Sequence, residues 1–304
     1  MKKTRLLLTF LITCLFVPAL WADEGQGTFE TREVLNIVYK TIGDEELKLN
    51  LFLPVQDDKQ PENLPLLIWL DSGCWYSNGP GNGGYWRALG GVERGYAVAS
   101  VGHRSLGAGS IFPDQIEDVR AAVRFLRAHA AEYGLDPNRF ASMGASSGGH
   151  LSTMLGIADS YEIFDVGENL DQSGQVQCVV DFYGPTRFGD AIYSKLSIDC
   201  LYEILGAKKI EGHRMIEQAD QLVDTAEKYS SYNYVDENYA PTLILQGGED
   251  KIVLASQSFL LFDKLRANDV RTKLFYKDTG VHDINSLGTP EELGAIIFEF
   301  LGWE

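Results

Sequence analysis

Short apolar runs alternate with longer segments of helical periodicity along most of the chain. Apolar runs of this length are typical of strands buried on both faces, and their alternation with helices predicts an α/β fold with a mostly parallel sheet. The six runs assigned to buried strands are residues 66–70, 97–101, 140–143, 176–180, 242–245 and 273–276.

The beginning of this pattern is different. Residues 34–39 and 47–53 alternate apolar and polar side chains, and Gly43-Asp44-Glu45 separates them. Period-two alternation on both sides of a glycine-containing turn predicts an antiparallel hairpin with one solvated face. We expect this hairpin at one edge of the sheet.

The clearest helical segment covers residues 114–133. Apolar side chains recur every three or four positions from Ile116 to Leu126, and Gly134 stands where a helix end favours positive φ. Further helices are predicted directly after Ser146, over 256–268 and over 290–301.

The stretch 186–240 interrupts the alternation. It is acidic, rich in tyrosine and reads as short helices and loops inserted before the strand at 242–245. An insertion of this kind is either a lid over a site or a solvated excursion, and the sequence is compatible with both.

Composition limits the function classes. The chain has 304 residues, of which 45% are hydrophobic and 23% are charged, so it can build one large core. Its 43 acidic and 26 basic side chains give a formal charge of −17. Clustered positive charge is absent from the sequence, which argues against nucleic-acid partners and disfavours polyanionic substrates.

The first residues predict export. Three basic residues within the first five positions precede the apolar run 6–20, and Ala22 follows it. This order is typical of a signal peptide over 1–22, which leaves 23–304 as the mature domain. The rival interpretation, a membrane anchor, is weaker because the run has about 15 residues where a span needs about 20. We therefore expect a periplasmic or extracellular protein without a stable membrane anchor.

Three cysteines follow this segment: Cys74, Cys178 and Cys200. An odd number permits at most one disulfide, and the spacing leaves open whether Cys178 and Cys200 pair. No Cys-x-x-Cys pair or Cys/His cluster has the spacing of a metal site.

The strongest local signal is Gly144-Ala145-Ser146-Ser147-Gly148, a G-x-S-x-G pattern between a predicted strand and a predicted helix. A nucleophilic serine needs a sharp strand-to-helix turn, and the glycines remove side chains that would collide there. The alternative is an ordinary glycine-rich turn. The flanking pattern favours Ser146 as a nucleophile.

A serine nucleophile requires a histidine base and a carboxylate that orients it. In α/β-hydrolases the chain order is serine, acid, histidine, and of the five histidines only His282 lies far enough downstream. Asp250 follows the preceding strand and is the preferred acid, with Glu249 as an adjacent rival. The alternative role of Asp250 is a helix N-cap or a turn residue.

Several motifs together resemble a known group of enzymes. Residues 112–119 (Phe-Pro-Asp-Gln-Ile-Glu-Asp-Val), 133–139 (Tyr-Gly-Leu-Asp-Pro-Asn-Arg), 144–151 and 179–185 (Val-Val-Asp-Phe-Tyr-Gly-Pro) look like the esterase/lipase group of α/β-hydrolases, most like the BD-FAE-like bacterial carboxylesterases. The likeness covers nearly all of 35–302. It implies an α/β-hydrolase fold with an eight-stranded, mostly parallel sheet and helices on both faces, and a serine carboxylesterase that needs no metal or organic cofactor.

One segment departs from that family. Where relatives carry His-Gly-Gly, this chain has Asp71-Ser72-Gly73-Cys74-Trp75. The resemblance implies that the backbone amides of Gly73, Cys74 and Ser147 form the oxyanion hole. Because the donors are backbone groups, the hole survives these substitutions if the backbone keeps its shape.

The run 79–84 matches G-x-G-x-x-G but starts well after its strand, and no acidic residue ends the next strand, so it does not indicate dinucleotide binding. We interpret it as a loop beside the active site. Candidate substrate-binding aromatics are Trp75, Tyr76, Trp86 and Tyr183, with Tyr85 near them. Some of these aromatics could equally belong to the core.

The sequence thus predicts a secreted serine carboxylesterase. The resemblance implies short-chain or plant-cell-wall esters, including acetyl and feruloyl esters, as small-molecule or carbohydrate-linked substrates. Two alternatives stay open: an amidase or peptidase of the same fold, and a non-catalytic binding module, which the altered segment 71–75 would suit.

Overall fold

A computed structural model describes residues 29–76, 79–81, 88, 90–191, 198–206 and 219–303. The predicted signal peptide, Tyr85, Trp86 and part of the 79–84 run lie outside these residues.

Eight strands form one sheet in the order β1-β2-β4-β3-β5-β6-β7-β8. They are β1 (Glu30–Ile42), β2 (Glu45–Val55), β3 (Leu64–Leu70), β4 (Ala97–Val101), β5 (Leu135–Ala145), β6 (Cys178–Phe182), β7 (Thr242–Gly247) and β8 (Thr272–Lys277). Strands β3 to β8 run parallel to one another, whereas β2 is antiparallel to both β1 and β4. The predicted mostly parallel sheet is confirmed.

The β1–β2 hairpin lies at one edge of the sheet, as the alternation predicts. Gly43 in its two-residue turn has φ +61°, a conformation that glycine adopts without steric cost. β5 differs from its prediction because it begins at Leu135, before the apolar run at 140. Leu135 pairs with Leu64 across a register shift, so the polar Asp136-Pro137-Asn138 segment belongs to the strand rather than to a turn.

The helices in the described residues are α1 (Asp114–Ala128), α2 (Ala130–Tyr133), α3 (Ser147–Leu155), α4 (Phe188–Ala191), α5 (Ile198–Ile204), α6 (Ala219–Lys228), α7 (Ala255–Ala267), α8 (Ile284–Leu287) and α9 (Pro290–Leu301). The helix predicted over 114–133 is interrupted at His129, whose backbone leaves helical geometry. Gly134 ends α2 in the left-handed conformation, as predicted.

Helices cover both faces of the sheet. Successive side chains of β3 alternate between two hydrophobic clusters: Leu66 and Ile68 pack with helices α1, α3 and α7, and Leu67 and Trp69 pack with α9. Within the described ranges, no helix is both long enough and apolar enough to cross a membrane.

The described parts of the insertion 186–240 contain helices α4, α5 and α6. A disulfide joins Cys200 of α5 to Cys74 in the loop after β3, with Cα atoms 5.8 Å apart. The pairing of Cys178 with Cys200, left open by the sequence, is therefore not the one found. Cys178 is unpaired, lies on the α9 face of the sheet and is fully buried, whereas Cys200 packs on the opposite face. Burial raises the pKa of the Cys178 thiol to about 12.

Candidate active site

Ser146 occupies a sharp turn between β5 and α3. Its backbone has φ +55° and ψ −119°, an unusual conformation for a residue with a side chain. Two backbone hydrogen bonds hold this turn: Ser146 N–H donates to the Phe182 carbonyl at 2.9 Å, and His150 N–H donates to the Ser146 carbonyl at 3.0 Å. The strained turn raises the hydroxyl at the carboxyl edge of the sheet, as expected for a nucleophile elbow.

The two glycines of the motif are sterically required. A Cβ at Gly144 would collide with the backbone of Gly148, and a Cβ at Gly148 would overlap the carbonyl oxygen of Leu70. α3 therefore packs its first turn directly against the end of β3. This agrees with the steric reason for which the sequence pattern singled out Ser146.

A chain of hydrogen bonds connects three side chains predicted from sequence. His282 Nε2 lies 3.0 Å from Ser146 Oγ, and His282 Nδ1 lies 2.7 Å from Asp250 Oδ2. The Asp250 side chain is fully buried, and its other oxygen accepts the backbone N–H groups of Ile252 and Val253 at 2.8 and 2.9 Å. Asp250 is thus fixed by its own turn, whereas the rival acid Glu249 is exposed.

Neighbouring strands bring the acid and the histidine together. Asp250 follows β7, His282 follows β8, and these parallel strands end at the same edge. The two loops bond directly, because Glu249 N–H donates to the Gly280 carbonyl at 2.8 Å. Gly247 and Gly280 approach so closely that a Cβ on Gly247 would strike Gly280. Strand order and close packing therefore set the distance between Asp250 and His282.

Tyr183, predicted as a substrate-binding residue, lies behind the histidine. Its ring centroid is 4.5 Å from that of His282, and only 4% of the residue is exposed. It follows β6 with φ +45°, and its N–H donates to the Leu245 carbonyl at 2.9 Å. The structure thus places Tyr183 against the imidazole.

Of the three candidate oxyanion donors, Cys74 and Ser147 border the same cavity as Ser146, and Gly73 precedes Cys74 in the chain. Gly73, Cys74 and Trp75 have consecutive positive φ values of +110°, +55° and +60°, and the turn closes with a 3.0 Å bond from Tyr76 N–H to the Gly73 carbonyl. Ser147 begins α3, where backbone N–H groups lack intrahelical acceptors. Among the described residues, the N–H groups of Gly73, Cys74 and Ser147 donate to no backbone acceptor. The hole therefore has three candidate donors.

Asp71, which stands where the family carries histidine, is held by a neighbour on the same strand end. The indole N–H of Trp69 donates to Asp71 Oδ1 at 2.6 Å. Asp71 is largely buried, with 8% exposure. The Asp71 carboxylate therefore bonds to Trp69 and is not part of the hydrogen-bonded chain of Ser146, His282 and Asp250.

A small apolar pocket opens beside Ser146, with a volume of about 30 Å³. Its walls are Cys74, Trp75, Ser146, Ser147, Pro185, Cys200, Leu201, Ile252 and Val253. Such a volume admits one or two water-sized groups. The sequence did not indicate Pro185, Leu201 and Ile252 as pocket residues, because no local pattern links them to Ser146. Val253 was noted only as part of the loop that follows β7 and carries Asp250, here called the acid loop.

Two predicted binding aromatics have different positions. Trp75 lines this pocket but is otherwise buried, with its ring 5.3 Å from Phe112 and 5.5 Å from His150. Tyr76 is 44% exposed, is not part of the pocket wall, and its hydroxyl donates to the Glu203 carboxylate.

Two other histidines are structural. His150 is fully buried, its Nε2 lies 2.8 Å from the Tyr229 carbonyl, and burial lowers its pKa to about 4. His103 is also buried, with Nδ1 2.7 Å from the Arg104 carbonyl and a pKa lowered by burial. Among the histidines of the described residues, His282 is the one in contact with Ser146.

Comparison with known proteins finds curated relatives that are named as ester hydrolases and esterases. The probable carboxylic ester hydrolase LipM of Mycobacterium tuberculosis is 28% identical over 206 residues, which are 66% of this chain and 45% of LipM. The chain spans about half the length of the curated relatives it matches.

Solved structures share the architecture. A bifunctional GH43-CE protein of Bacteroides eggerthii superposes with a TM-score of 0.72 at 26% identity, over 89% of this chain and 38% of that one. A truncated carbohydrate esterase from gut microbiota has the same TM-score, 0.72, at 23% identity, over 91% of this chain and 99% of that one. The fold is the α/β-hydrolase fold.

The BD-FAE family model matches residues 49–265, a stretch that contains the turn at Ser146, the loop that carries Asp250 and all residues of the small pocket's wall. Together with the sheet order and the strand-to-helix turn at Ser146, this match shows that the chain belongs to the BD-FAE family of α/β-hydrolases.

Proposed function

We propose that this protein is a carboxylesterase that acts through an acyl-enzyme on Ser146. The observation that carries the proposal is the continuous bond chain from Ser146 Oγ to His282 Nε2 and from His282 Nδ1 to Asp250. This arrangement activates a serine for attack on a carbonyl carbon. The ester hydrolase name of LipM supports the same reaction class.

In the first half of the reaction, Ser146 Oγ attacks the ester carbonyl and His282 Nε2 takes the hydroxyl proton. The carbonyl oxygen becomes an oxyanion, which the N–H groups of Gly73, Cys74 and Ser147 stabilise. Collapse of this intermediate breaks the ester C–O bond, and His282 returns the proton to the leaving alcohol.

In the second half, water attacks the acyl carbonyl carbon and gives a proton to His282. The bond between this carbon and Ser146 Oγ breaks, His282 returns the proton to Ser146 Oγ, and the carboxylic acid leaves. Asp250 orients the imidazole and stabilises its cationic form through both steps.

The pocket supports a short acyl group. Its apolar walls and volume of about 30 Å³ suit a methyl group better than an aromatic ring, so acetyl esters are favoured over feruloyl esters. The formal charge of −17 favours a neutral alcohol. The name of the truncated carbohydrate esterase from gut microbiota, which shares the fold, supports an acetylated neutral carbohydrate as the substrate class.

We also propose that the chain is exported. The basic and apolar start over 1–22 is typical of a signal peptide, and a disulfide is the form expected in an oxidising compartment. Expression in a secreting bacterium tests this: the exported protein should have the mass of residues 23–304, and retention of the uncleaved chain in the cytoplasm would contradict it.

The esterase proposal is tested with Ser146→Ala and a matched control, Ser160→Ala, which changes an exposed serine that is not part of the pocket wall. We expect Ser146→Ala to lower the kcat for p-nitrophenyl acetate by at least about 10³-fold and Ser160→Ala to leave it unchanged. A higher rate on the matched acetanilide would favour the amidase alternative. Absence of both turnover and fluorophosphonate labelling in the folded wild type would favour a binding module.

A further inference from the structure

The disulfide joins two parts of the pocket that are distant in sequence. Cys74 and Cys200 are 126 residues apart, and both line the cavity beside Ser146. Cys74 also supplies one of the three candidate oxyanion amides and has φ +55°. A covalent bond at this position therefore fixes a catalytic loop and a helix of the insertion relative to each other.

Two further bonds attach the same helix, α5, at its other end. The Tyr76 hydroxyl donates to the Glu203 carboxylate, and Phe112 N–H donates to the Ile204 carbonyl at 3.0 Å. α5 has only seven residues, and a helix of that length is not stable without tertiary contacts. Its position depends on these three attachments.

Leu201 lies next to the bonded cysteine and lines the pocket. It is 3% exposed, and the same cavity wall includes Trp75 and Ile252. The free volume beside Ser146 is about 30 Å³, so an acyl chain that extends along this wall meets the Leu201 side chain after very few carbons.

We propose that α5 is a disulfide-held wall of the acyl pocket, in which Leu201 limits the length of the acyl chain and the Cys74–Cys200 bond keeps both this wall and the Cys74 amide in place. This inference rests on the proposed esterase function and adds the determinant of its acyl specificity. Loss of the disulfide relaxes two properties at once: the length limit and the oxyanion geometry.

The test is a series of p-nitrophenyl esters from acetate through butyrate and hexanoate to octanoate, with kcat and KM measured for each. Leu201→Ala should raise the ratio of kcat/KM for hexanoate to that for acetate by at least about 10-fold, since a few methylene contacts in an apolar pocket discriminate by that amount or more. Leu205→Ala is the control, because Leu205 is buried beside α5 but is not part of the cavity wall. It should change the ratio by less than about 2-fold.

The double variant Cys74→Ser/Cys200→Ser removes the bond without leaving an odd thiol. We expect a higher ratio of kcat/KM for hexanoate to kcat/KM for acetate, because the Leu201 wall is no longer held. We also expect a fall of about 10-fold in the kcat for acetate, because the Cys74 amide is less well placed to stabilise the oxyanion. Dithiothreitol should reproduce both effects in the wild type, giving two electrons and two protons to the disulfide and closing to its own cyclic disulfide. It should have no effect on the double variant.

An unchanged chain-length profile in a folded Leu201→Ala variant would overturn the role of Leu201, as would an equal shift in Leu205→Ala. Unchanged kcat and profile in the reduced wild type would overturn the role of the disulfide, even if the double variant fails to fold. Failure of the esterase function has another signature: the wild type would then be no faster than Ser146→Ala on every ester in the series, and both proposals would fall.

Discussion

The phenol ring of Tyr183 lies against the imidazole of His282, with centroids 4.5 Å apart and ring planes inclined by 51°. Tyr183 follows β6, which lies between β5 and β7, and its N–H donates to the Leu245 carbonyl of β7. Ser146 follows β5 and Asp250 follows β7, so Tyr183 lies between the two. Its positive φ of +45° is costly for a bulky side chain and is kept by the surrounding structure. The ring therefore restricts the orientation of the candidate base.

Removal of that ring should impair turnover more than binding. We expect Tyr183→Ala to lower kcat by about 10- to 100-fold with a small change in KM, because a displaced imidazole no longer aligns with Ser146 Oγ. Tyr183→Phe keeps the ring and should retain most of the activity. Steady-state kinetics on p-nitrophenyl acetate measure both. An equal loss in the phenylalanine variant would assign the effect to the hydroxyl rather than to the ring.

The acid loop offers a matched pair of variants. Asp250→Asn should lower kcat by about 10⁴-fold, because an amide cannot stabilise the imidazolium or hold the correct tautomer. Glu249→Gln changes the exposed neighbour and should leave kcat within about 2-fold of the wild type. Comparable losses in both variants would mean that the charge of the loop matters rather than the bond to His282 Nδ1.

Much of the fold follows from local sequence. The buried strand predicted at 97–101 and the helix predicted over 290–301 correspond to β4 and α9 residue for residue, because strand burial and the Thr289-Pro290 start of α9 are local signals. The residues Ser146, Asp250 and His282 were identifiable because chain order and strand ends restrict where the acid and histidine of an α/β-hydrolase can lie.

The pocket wall could not be predicted in this way. Cys200 bonds to Cys74 across 126 residues, and Leu201 follows Cys200 in the chain. Both residues belong to an insertion whose sequence pattern does not predict how it aligns with the sheet. The position of Tyr183 behind His282 depends on a positive φ at a non-glycine residue, which sequence statistics do not favour. Both features are tertiary, and neither leaves a periodic signal.

The packing of α3 against β3 predicts a steep cost for a single methyl group. Gly148→Ala would place Cβ onto the Leu70 carbonyl oxygen, so we expect a loss of more than about 4 kcal/mol or no soluble protein. Gly167→Ala is the control: Gly167 has φ +92° but open space around it, so only about 1–2 kcal/mol of backbone strain is expected. Denaturant unfolding measures both, and equal losses would show that steric contact with β3 is not the cause.

A buried carboxyl group on β6 predicts the pH dependence of stability. Asp181 on β6 is fully buried and Oδ1 accepts the Gly184 N–H at 2.8 Å, while Oδ2 has no partner among the described residues. Burial raises its pKa to about 7, although the Gly184 bond opposes the shift. In the unfolded chain the same carboxyl titrates near its usual value of about 3.9.

Between these two pKa values the native state holds a proton that the unfolded state has lost, so this group makes the protein less stable as pH rises from about 4 to about 7. Asp181→Asn cannot ionise and should lack this dependence. Its melting temperature relative to the wild type should therefore increase from about pH 4.5 to about pH 7.5, with a free-energy change of at most about 4 kcal/mol. Asp263→Asn, at an exposed position of α7, should track the wild type at both pH values. Parallel curves for Asp181→Asn and the wild type would mean that the Asp181 carboxyl is ionised in the native state across this range.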